Sequence, residues 1–494
     1  MTKYFSLLLL FSTQLLAQPT PLEKNNYEKL TSYDELTKFV YQLDSLSDIL
    51  KVDVIGKSVE ERNLYALKFS NSIFGEDTSK IKVLIFAQQH GNEQSGKEGA
   101  LMLARELIRP DNKYLFDKID LALIPQMNPD GSEKNLRQNA NGIDLNRNHL
   151  ILTEPETIAL HKLFNEYHFE ATMDVHEYYP FTESWLNFGY VKDFDEQIGT
   201  TTNPNVAEEI RNISNNEFLP FIEKYLNKRG YSFHNYILGG PPGVELFRHS
   251  TYDINDGRQS FGIQNTFSFI MEGKNGRDSL EFIGRRADGQ AVGMLGFLEF
   301  IYKNKDRIKS FVKSEREKLF SGREDEKVAI QFDHINVGNK LNLTLHSLST
   351  DSDTVIVVND YRPIVQSIYD VERPIGYLLP KKLTELYDWA VRQNLIISHF
   401  DFTQDKMIQQ YFISEIDSID FEGDTVVNPE VELREVQNKI NEEEYYFIPT
   451  NQLKNNLIVI ALESKSMLGL VTYKNYEHFL KAGEYFPVLR VVSK

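Results

Sequence analysis

The chain has 494 residues, of which 41% are hydrophobic and 12% aromatic, so it can form packed interiors and is not a disordered chain. Its 54 basic and 72 acidic side chains leave a formal charge of −18, which disfavours binding to the phosphates of nucleic acids and to anionic lipid surfaces. The length exceeds that of one average domain, so we expect two domains.

The N-terminus predicts export. Lys3 precedes an uncharged, mostly apolar run over residues 5–16, and Ala17 leads into the prolines of residues 19–21. The run is too short to cross a bilayer but has the length of a signal-peptide core. We therefore expect residues 1–17 to be a cleavable signal peptide, and the mature protein to be secreted or periplasmic without stable membrane insertion. The chain has no cysteine, so its stability outside the cytoplasm would come from its core rather than from disulfides.

Residues 23–305 alternate between patterns of buried strands and amphipathic helices. Strands are predicted at residues 81–87, 119–124, 171–175 and 266–271, and helices at 99–108, 157–167, 206–228 and 289–302. This alternation predicts an α/β domain, with a mixed sheet covered by helices on both faces. Ligands of such sheets bind beyond the carboxyl ends of the strands. His90, Asn128, His176 and Glu272 each come at or shortly after the end of a predicted strand.

The chain changes character after residue 305. Residues 306–326 are dense in charged side chains and predict a solvated helix followed by a linker, with a domain boundary near Gly322. Further on, short strands are predicted at residues 328–332, 341–345, 354–358 and 457–462, and helical patches at 381–393 and 476–481. We therefore expect residues 327–494 to form a smaller α+β domain, whose role the sequence does not indicate.

His90 and Glu93 place an imidazole and a carboxylate three residues apart in a loop that leaves a strand. Nitrogen and oxygen donors of this kind suit zinc, and three protein ligands with an open fourth position are typical of a catalytic zinc site. His176 is the best candidate for the third ligand, because it follows the apolar run 171–175 and would project from the edge of the sheet.

Residues 128–148 contain Arg137, Arg147 and several amide side chains, with little helical or strand periodicity. Guanidinium groups bind carboxylates through two parallel hydrogen bonds. Long loops inside compact domains are usually functional. The segment therefore predicts a wall that recognises an anion.

Several of these motifs, in this order, resemble the zinc carboxypeptidases related to pancreatic carboxypeptidase A. The resemblance is carried by TSYDEL at residues 31–36, IGKSVEER at 55–62, HGNE at 90–93, NPDG at 128–131 and GIDLNRN at 142–148. It covers about residues 33–300. It implies an enzyme with one zinc ion per chain that hydrolyses peptide bonds at the C-termini of peptides or proteins.

The resemblance also implies a role for each residue of the metal site. His90, Glu93 and His176 would be the zinc ligands. Asp144 would accept a hydrogen bond from His90 and orient its ring, which is a common arrangement behind metal-bound histidines.

Substrate contacts and proton transfer are implied in the same way. Asn146 and Arg147 would hold the terminal carboxylate of the substrate, and Arg137 would stabilise the oxyanion that forms at the scissile carbonyl. Glu272 ends the apolar strand 266–271, so its carboxylate would face the same sheet edge and act as the general base. Glu177 is the competing glutamate, but it adjoins a predicted ligand and is more suited to a supporting role.

Two features depart from the pancreatic pattern. Asn92 stands between the first two ligands, where enzymes related to the pancreatic ones have an arginine; the HGNE form is similar to bacterial and cytosolic branches and to acylase-type relatives. Tyr252 lies at about the expected distance before Glu272 to be the tyrosine that caps bound substrate, but residues 250–257 do not resemble its usual context.

Three functions therefore stay open. The leading one is removal of C-terminal residues; the others are an amidase acting on γ- or D-linked cell-wall peptides and a catalytically inactive peptide-binding protein. The last is disfavoured because ligands, base and arginines are all present. Side-chain preference is also open, since Arg258 would favour an acidic substrate unless it pairs with Asp253 or Asp256. Nothing in the sequence indicates the oligomeric state.

Overall fold

The computed structural model describes residues 18–321, 326–338, 340–421, 424–437 and 440–494. The predicted signal peptide and the predicted boundary at Gly322 lie outside these residues. Within the described ranges, no helix has both the length and the apolar character that a membrane span requires.

The part of the chain up to Ser321 is built around one large mixed sheet. Its strands and the short strands around it are β1 (Leu50–Lys57), β2 (Asn63–Phe69), β3 (Ile81–Ala87), β4 (Ile119–Ile124), β5 (Ala171–Tyr178), β6 (Tyr190–Val191), β7 (Glu196–Thr200), β8 (Phe233–Asn235), β9 (Ile237–Leu238), β10 (Phe247–His249) and β11 (Phe267–Lys274). The helices are α1 (Pro21–Lys24), α2 (Tyr33–Leu46), α3 (Gln94–Leu107), α4 (Pro129–Lys134), α5 (Pro155–Tyr167), α6 (Glu183–Phe188), α7 (Glu208–Ile213), α8 (Leu219–Asn227), α9 (Gly257–Gly262) and α10 (Ile283–Ser321). Short 3₁₀ turns at Pro110–Asp117 and Leu145–Arg147 and a π turn at Ser214–Phe218 complete this part.

The strand order of the large sheet is β1-β2-β4-β3-β5-β11-β7-β8. The four central strands of the sheet, β4, β3, β5 and β11, run parallel to one another. Strand β1 pairs antiparallel with β2, β2 with β4, and β7 with β11. The side chains of β3 alternate between the two faces of the sheet. Val83 and Ile85 belong to the hydrophobic core shared with α3 and α10, and Leu84 and Phe86 belong to the core shared with α5. The expected α/β fold, with a mixed sheet covered on both faces, is confirmed.

One long helix joins this sheet to the rest of the chain. Helix α10 has 39 residues, a length of about 58 Å, and replaces the separate helices expected at 289–302 and after 305. Its Gln290 donates to the carbonyl of His176 (2.8 Å), and its Arg316 donates to the carbonyls of His168 (2.8 Å) and Phe169 (2.7 Å). Helix α10 therefore holds β5 at both of its ends.

The remainder of the chain is rich in strands. These are β12 (Lys327–Ile335), β13 (Leu341–Ser347), β14 (Ser352–Val358), β15 (Tyr361–Arg362), β16 (Ile364–Glu372), β17 (Gly376–Pro380), β18 (Lys406–Phe421), β19 (Asp424–Glu435), β20 (Tyr445–Pro449) and β21 (Tyr485–Ser493), with helices α11 (Thr384–Arg392) and α12 (Asn455–Leu462) and 3₁₀ turns at Glu442–Glu444, Leu470–Thr472 and Glu477–Phe479. The strand predicted at residues 457–462 is wrong, because these residues belong to α12. Every residue of α12 is buried, so its apolar run shows neither a helical nor a strand period.

The C-terminal region packs directly on the loop that follows the predicted anion-binding segment. Trp389, fully buried on α11, donates its indole N–H to the carbonyl of Leu150 at 2.9 Å. Gln393 donates to the carbonyls of His149 (3.0 Å) and Leu150 (2.6 Å). Leu150 and Trp389 belong to one continuous hydrophobic core. The C-terminal region is thus part of the support of the sheet domain.

Replacing Trp389 by Ala should lower the free energy of unfolding by about 3–5 kcal/mol, because it empties a large buried volume and removes the indole donor. Chemical denaturation of the two proteins measures this difference. Val391→Ala is the matched control on the same helix: its side chain is 52% exposed, so we expect a change within about 0.5 kcal/mol. Equal stability of Trp389→Ala and the unsubstituted protein would show that this contact does not hold the two regions together.

Candidate metal centre and substrate cleft

Strand pairing brings the predicted site residues to one edge of the sheet. In the parallel pair β5–β11, His176 lies opposite Glu272. In the parallel pair β3–β5, Ala87 lies opposite Val175, so the loop that carries His90 emerges beside His176. The carboxyl ends of β3, β5 and β11 therefore meet at the place that the sequence predicts.

Three of these side chains form a compact, buried cluster. Nδ1 of His90 lies 2.7 Å from Oε1 of Glu93, and Nδ1 of His176 lies 2.9 Å from Oε2 of the same carboxylate. The two Nδ1 atoms are 3.1 Å apart. Burial raises the pKa of Glu93, but the charges of His90 and His176 outweigh it and hold this pKa well below its usual range. Glu93 is therefore ionised.

A carboxylate lies behind each histidine ring. Nε2 of His90 is 3.0 Å from Oδ1 of Asp144, and Nε2 of His176 is 2.8 Å from Oδ1 of Asp174. The hydrogen bond to Asp144 favours the tautomer of His90 in which Nε2 carries the proton and Nδ1 keeps its lone pair, whereas Asp174 acts on His176 through its charge. The sequence analysis missed Asp174, although its position two residues before His176 places both side chains on the same face of β5.

The donor atoms of this cluster fit a metal ion. His90, Glu93 and His176 each offer a ligand atom, and these atoms all lie within 4.8 Å of one another. With both imidazoles neutral, two nitrogen lone pairs and a carboxylate would converge in this buried place, and a bound cation would offset their mutual repulsion. Two imidazoles and one carboxylate are a donor set that suits zinc.

Comparisons with known proteins agree with this geometry. Residues 36–216 match the family model described as zinc carboxypeptidase. The chain is 24% identical over 459 residues to carboxypeptidase 2 of Trichophyton tonsurans, covering 88% of this chain and 81% of that protein. It is 26% identical over 325 residues to the catalytic chain of human carboxypeptidase N, covering 55% of this chain and 68% of that one. These matches and the cluster geometry support a zinc carboxypeptidase domain in this part of the chain.

Among solved structures, the chain is similar to a metallo-carboxypeptidase from Pseudomonas aeruginosa in complex with (2-guanidinoethylmercapto)succinic acid. The identity is 21% and the TM-score 0.43, over 57% of this chain and 71% of that chain.

A cleft of about 510 Å³ opens in front of the His90–Glu93–His176 cluster. Among the residues that line it are six of those predicted from the sequence: His90, Glu93, Arg137, Asn146, Arg147 and Glu272. Asp144 and His176 stand behind this surface. The cleft therefore brings together the predicted metal ligands, base and arginines.

Arg137 lies at the rim of the metal cluster. Its Nε and Nη2 contact Oδ2 of Asp144 at 3.0 and 2.9 Å, and its Nη1 is 3.2 Å from Nδ1 of His90. Burial raises the pKa of Asp144, but the hydrogen bond and charge of His90, together with Arg137, hold it well below its usual range. This ionised carboxylate therefore fixes both a metal ligand and the arginine beside it.

Asn146 and Arg147 form a second polar part of the cleft. Oδ1 of Asn146 accepts from Nε2 of Gln89 (3.1 Å) and from the backbone N–H of Gly257 (2.8 Å), so its Nδ2 group is left to donate. Gln89 also donates to Oδ2 of Asp174 at 2.8 Å. One buried amide therefore links the predicted carboxylate-binding residue to the support of His176. The sequence analysis missed Gln89, which precedes His90.

The two candidate bases differ in their surroundings. Glu272 is buried in the cleft wall with the hydroxyl of Tyr236 as a hydrogen-bond partner, and burial raises its pKa to about 7. Glu177 accepts from Oγ of Ser95 (2.6 Å) and from Arg286 (2.5 Å). Both glutamates line the cleft, but the carboxylate of Glu177 is held by Ser95 and Arg286, which makes Glu272 the better candidate base.

The structure places Tyr252 outside this cleft. Its ring, 3% exposed, packs against Phe332 at 5.4 Å and Phe421 at 5.8 Å between ring centroids. The chain turns inward there, because β12 covers this side of the sheet domain. Tyr236, a half-buried residue before β9, is the tyrosine that lines the cleft instead. It lies in a segment of short strands with no strong period, so the sequence offered no signal for it.

Arg258 is also removed from the substrate. It is 1% exposed, and its Nη2 lies 2.8 Å from Oδ2 of Asp256. Its Nη1 contacts Oγ of Ser250 and the carbonyl of Thr200. The sequence allowed Arg258 either to bind an acidic substrate or to pair with a nearby aspartate, and in the structure it pairs with Asp256.

The position of Asp174 makes a test of metal binding possible. We expect one zinc ion per chain, and we expect Asp174→Asn to weaken zinc affinity by about 10–100-fold, because the amide cannot stabilise His176 as a carboxylate does. Competition with a chelator measures the affinity. Asp53→Asn is the matched control, since Asp53 is half exposed on the outer strand β1 and should leave affinity unchanged. Equal affinities in all three proteins would contradict the support role of Asp174.

Proposed function

We propose that this protein removes residues one at a time from the C-termini of peptides. The observation that carries the proposal is the presence, in a single cleft, of the metal cluster, Glu272 and the Asn146–Arg147 pair. The family supports a hydrolase that acts on C-terminal residues; the residue roles below are our proposal. The N-terminal sequence supports export, which we propose as well.

His90, Glu93 and His176 would hold one zinc ion, which when bound supplies a Lewis acid that polarises a carbonyl and lowers the pKa of a water molecule. Glu272 would accept a proton from the attacking water and then deliver it to the departing amine. Burial raises the pKa of Glu272, which favours a carboxyl group that both takes up and releases a proton. Tyr236 would keep the Glu272 carboxyl in place through its hydroxyl.

We assign substrate recognition to the polar and charged groups that line the same cleft. The guanidinium of Arg147 and the Nδ2 group of Asn146 would donate to the free carboxylate of the peptide, in charge-assisted hydrogen bonds. Arg137 stands beside the metal ligands, where it would donate to the oxygen of the scissile carbonyl as negative charge develops there. A carboxylate anchor in the same cleft as Glu272 would restrict cleavage to the end of the peptide.

Glu272→Gln should lower turnover by about 10²–10⁴-fold, because the amide keeps the shape of the side chain but cannot take up a proton. Zinc content should remain unchanged, since Glu272 is not among the three clustered ligands. Steady-state kinetics with a synthetic peptide and metal analysis of the same sample measure both quantities. Glu28→Gln, at an exposed position near α1, is the control and should retain full activity. Full activity of Glu272→Gln would point to another base.

Arg147 gives a test of exopeptidase action. Amidation of the peptide C-terminus removes a charge-assisted contact worth about 1.5–3 kcal/mol, so kcat/KM should fall by about tenfold or more. Arg147→Ala should lower kcat/KM for the free-acid peptide and reduce the difference in kcat/KM between the free-acid and the amidated peptide. Mass spectrometry should show products shortened by single residues from the C-terminal end.

The control for this experiment is Arg277→Ala, because the Arg277 side chain is 68% exposed and pairs with Glu281. It should preserve the difference between acid and amide peptides. Internal fragments as the main products, or equal cleavage of the two peptides, would reject carboxypeptidase action and leave the amidase reading in place, while the metal site would stand.

A further inference from the structure

Lys192 is a buried cation in the substrate cleft that the proposed mechanism does not use. It follows β6, lines the cleft and is only 8% exposed. Its Nζ lies 5.7 Å from the ring centroid of Tyr178 and 5.8 Å from that of Trp185. No residue in the described ranges accepts a hydrogen bond from this ammonium group.

An ammonium group in this position is costly without an anion. Burial lowers the pKa of Lys192 to about 8, against the opposing charges of Glu272 and Glu245. Two aromatic faces compensate for lost water in part, since a cation over a ring is worth about 0.5–2 kcal/mol. An anion that entered the cleft would supply the missing acceptors and would be bound more tightly because water is excluded there.

The other cations of the cleft already have acidic partners or a different task. Arg137 contacts Asp144. Arg147, which we assign to the terminal carboxylate, is acted on by Asp253, Asp144 and Asp256. The charges of Glu272 and Glu245 raise the pKa of Lys192, but within the described residues neither carboxylate forms an ion pair or a hydrogen bond with its ammonium group. The terminal carboxylate of the peptide would therefore bind Arg147, and the ammonium group of Lys192 would be available to a second negatively charged group of the peptide.

We infer that Lys192 is a specificity residue that selects peptides with an aspartate or glutamate side chain in one of the two residues flanking the scissile bond. The inference rests on the proposed function, because the peptide must be held in this cleft by its C-terminus. Lys192 lines the same cleft as Glu272 and is influenced by its charge, so we place the selected side chain next to the bond that is cut. The substrate carboxylate would accept hydrogen bonds from the Lys192 ammonium.

The test compares matched peptides that differ only by Glu or Gln, or Asp or Asn, at each of the two positions flanking the scissile bond. The zinc-loaded full-length protein should cleave the acidic peptide with a kcat/KM about tenfold or more above that of its amide counterpart, at one of the two positions. Lys192→Met should bring this ratio close to one. Lys192→Glu should invert it and favour Lys or Arg at the same position.

Two controls separate the roles of charge, fold and catalysis. Lys192→Arg should keep the acidic preference, and Lys51→Met, at a side chain 74% exposed on β1, should not change it. Thermal unfolding of each variant confirms that it is folded. Equal cleavage of acidic and neutral peptides by the unsubstituted protein, or an unchanged ratio in Lys192→Met, would overturn the role of Lys192. Failure to release C-terminal residues from any peptide, neutral ones included, would instead overturn the proposed function.

Discussion

The site depends on the parallel pairing of β3, β5 and β11. This pairing sets His176 opposite Glu272 and brings the loop after β3 alongside, so that ligands from positions 90, 93 and 176 reach a common point. A shift of one residue in either register would turn a ligand or the base toward the opposite core, because side chains alternate between the two faces. The fully buried apolar residues of these strands fix the register, and thereby fix the distance between metal and base.

Carboxylates and a buried amide hold the metal-ligand side chains in position. Asp144 and Asp174 stand behind the two histidines, and Gln89 joins Asp174 to Asn146 through hydrogen bonds of 2.8 and 3.1 Å. Buried polar groups are stable only when their hydrogen bonds are satisfied, so such a network has few alternative arrangements. The ligands and the carboxylate-binding amide are therefore positioned by the same set of contacts, and a change at either end would be felt at the other.

The sequence predicted much of this because the essential residues follow strands that are apolar throughout. Strands 81–87 and 119–124 have the predicted bounds, and the three ligand positions come together as expected. Sequence patterns failed where burial is uniform or where distant segments meet. Residues 457–462 are apolar on all sides and form a helix rather than a strand. Tyr252 is covered by β12, about 80 positions later in the chain, and Tyr236 and Lys192 lie in irregular segments whose neighbours no local pattern reveals.

The hydrogen bonds from Gln290 and Arg316 of α10 to the β5 segment limit where residues can be inserted into or deleted from this helix. Gln290 and Arg316 reach the carbonyls at opposite ends of one strand. Each residue added to or removed from a helix turns everything beyond it by about 100°. A single insertion or deletion between these two side chains would therefore swing one of them away from its carbonyl, whereas one after Arg316 would leave both in place. The spacing between positions 290 and 316 is therefore constrained by the contacts with the β5 segment, whereas the helix beyond Arg316 is not constrained by them.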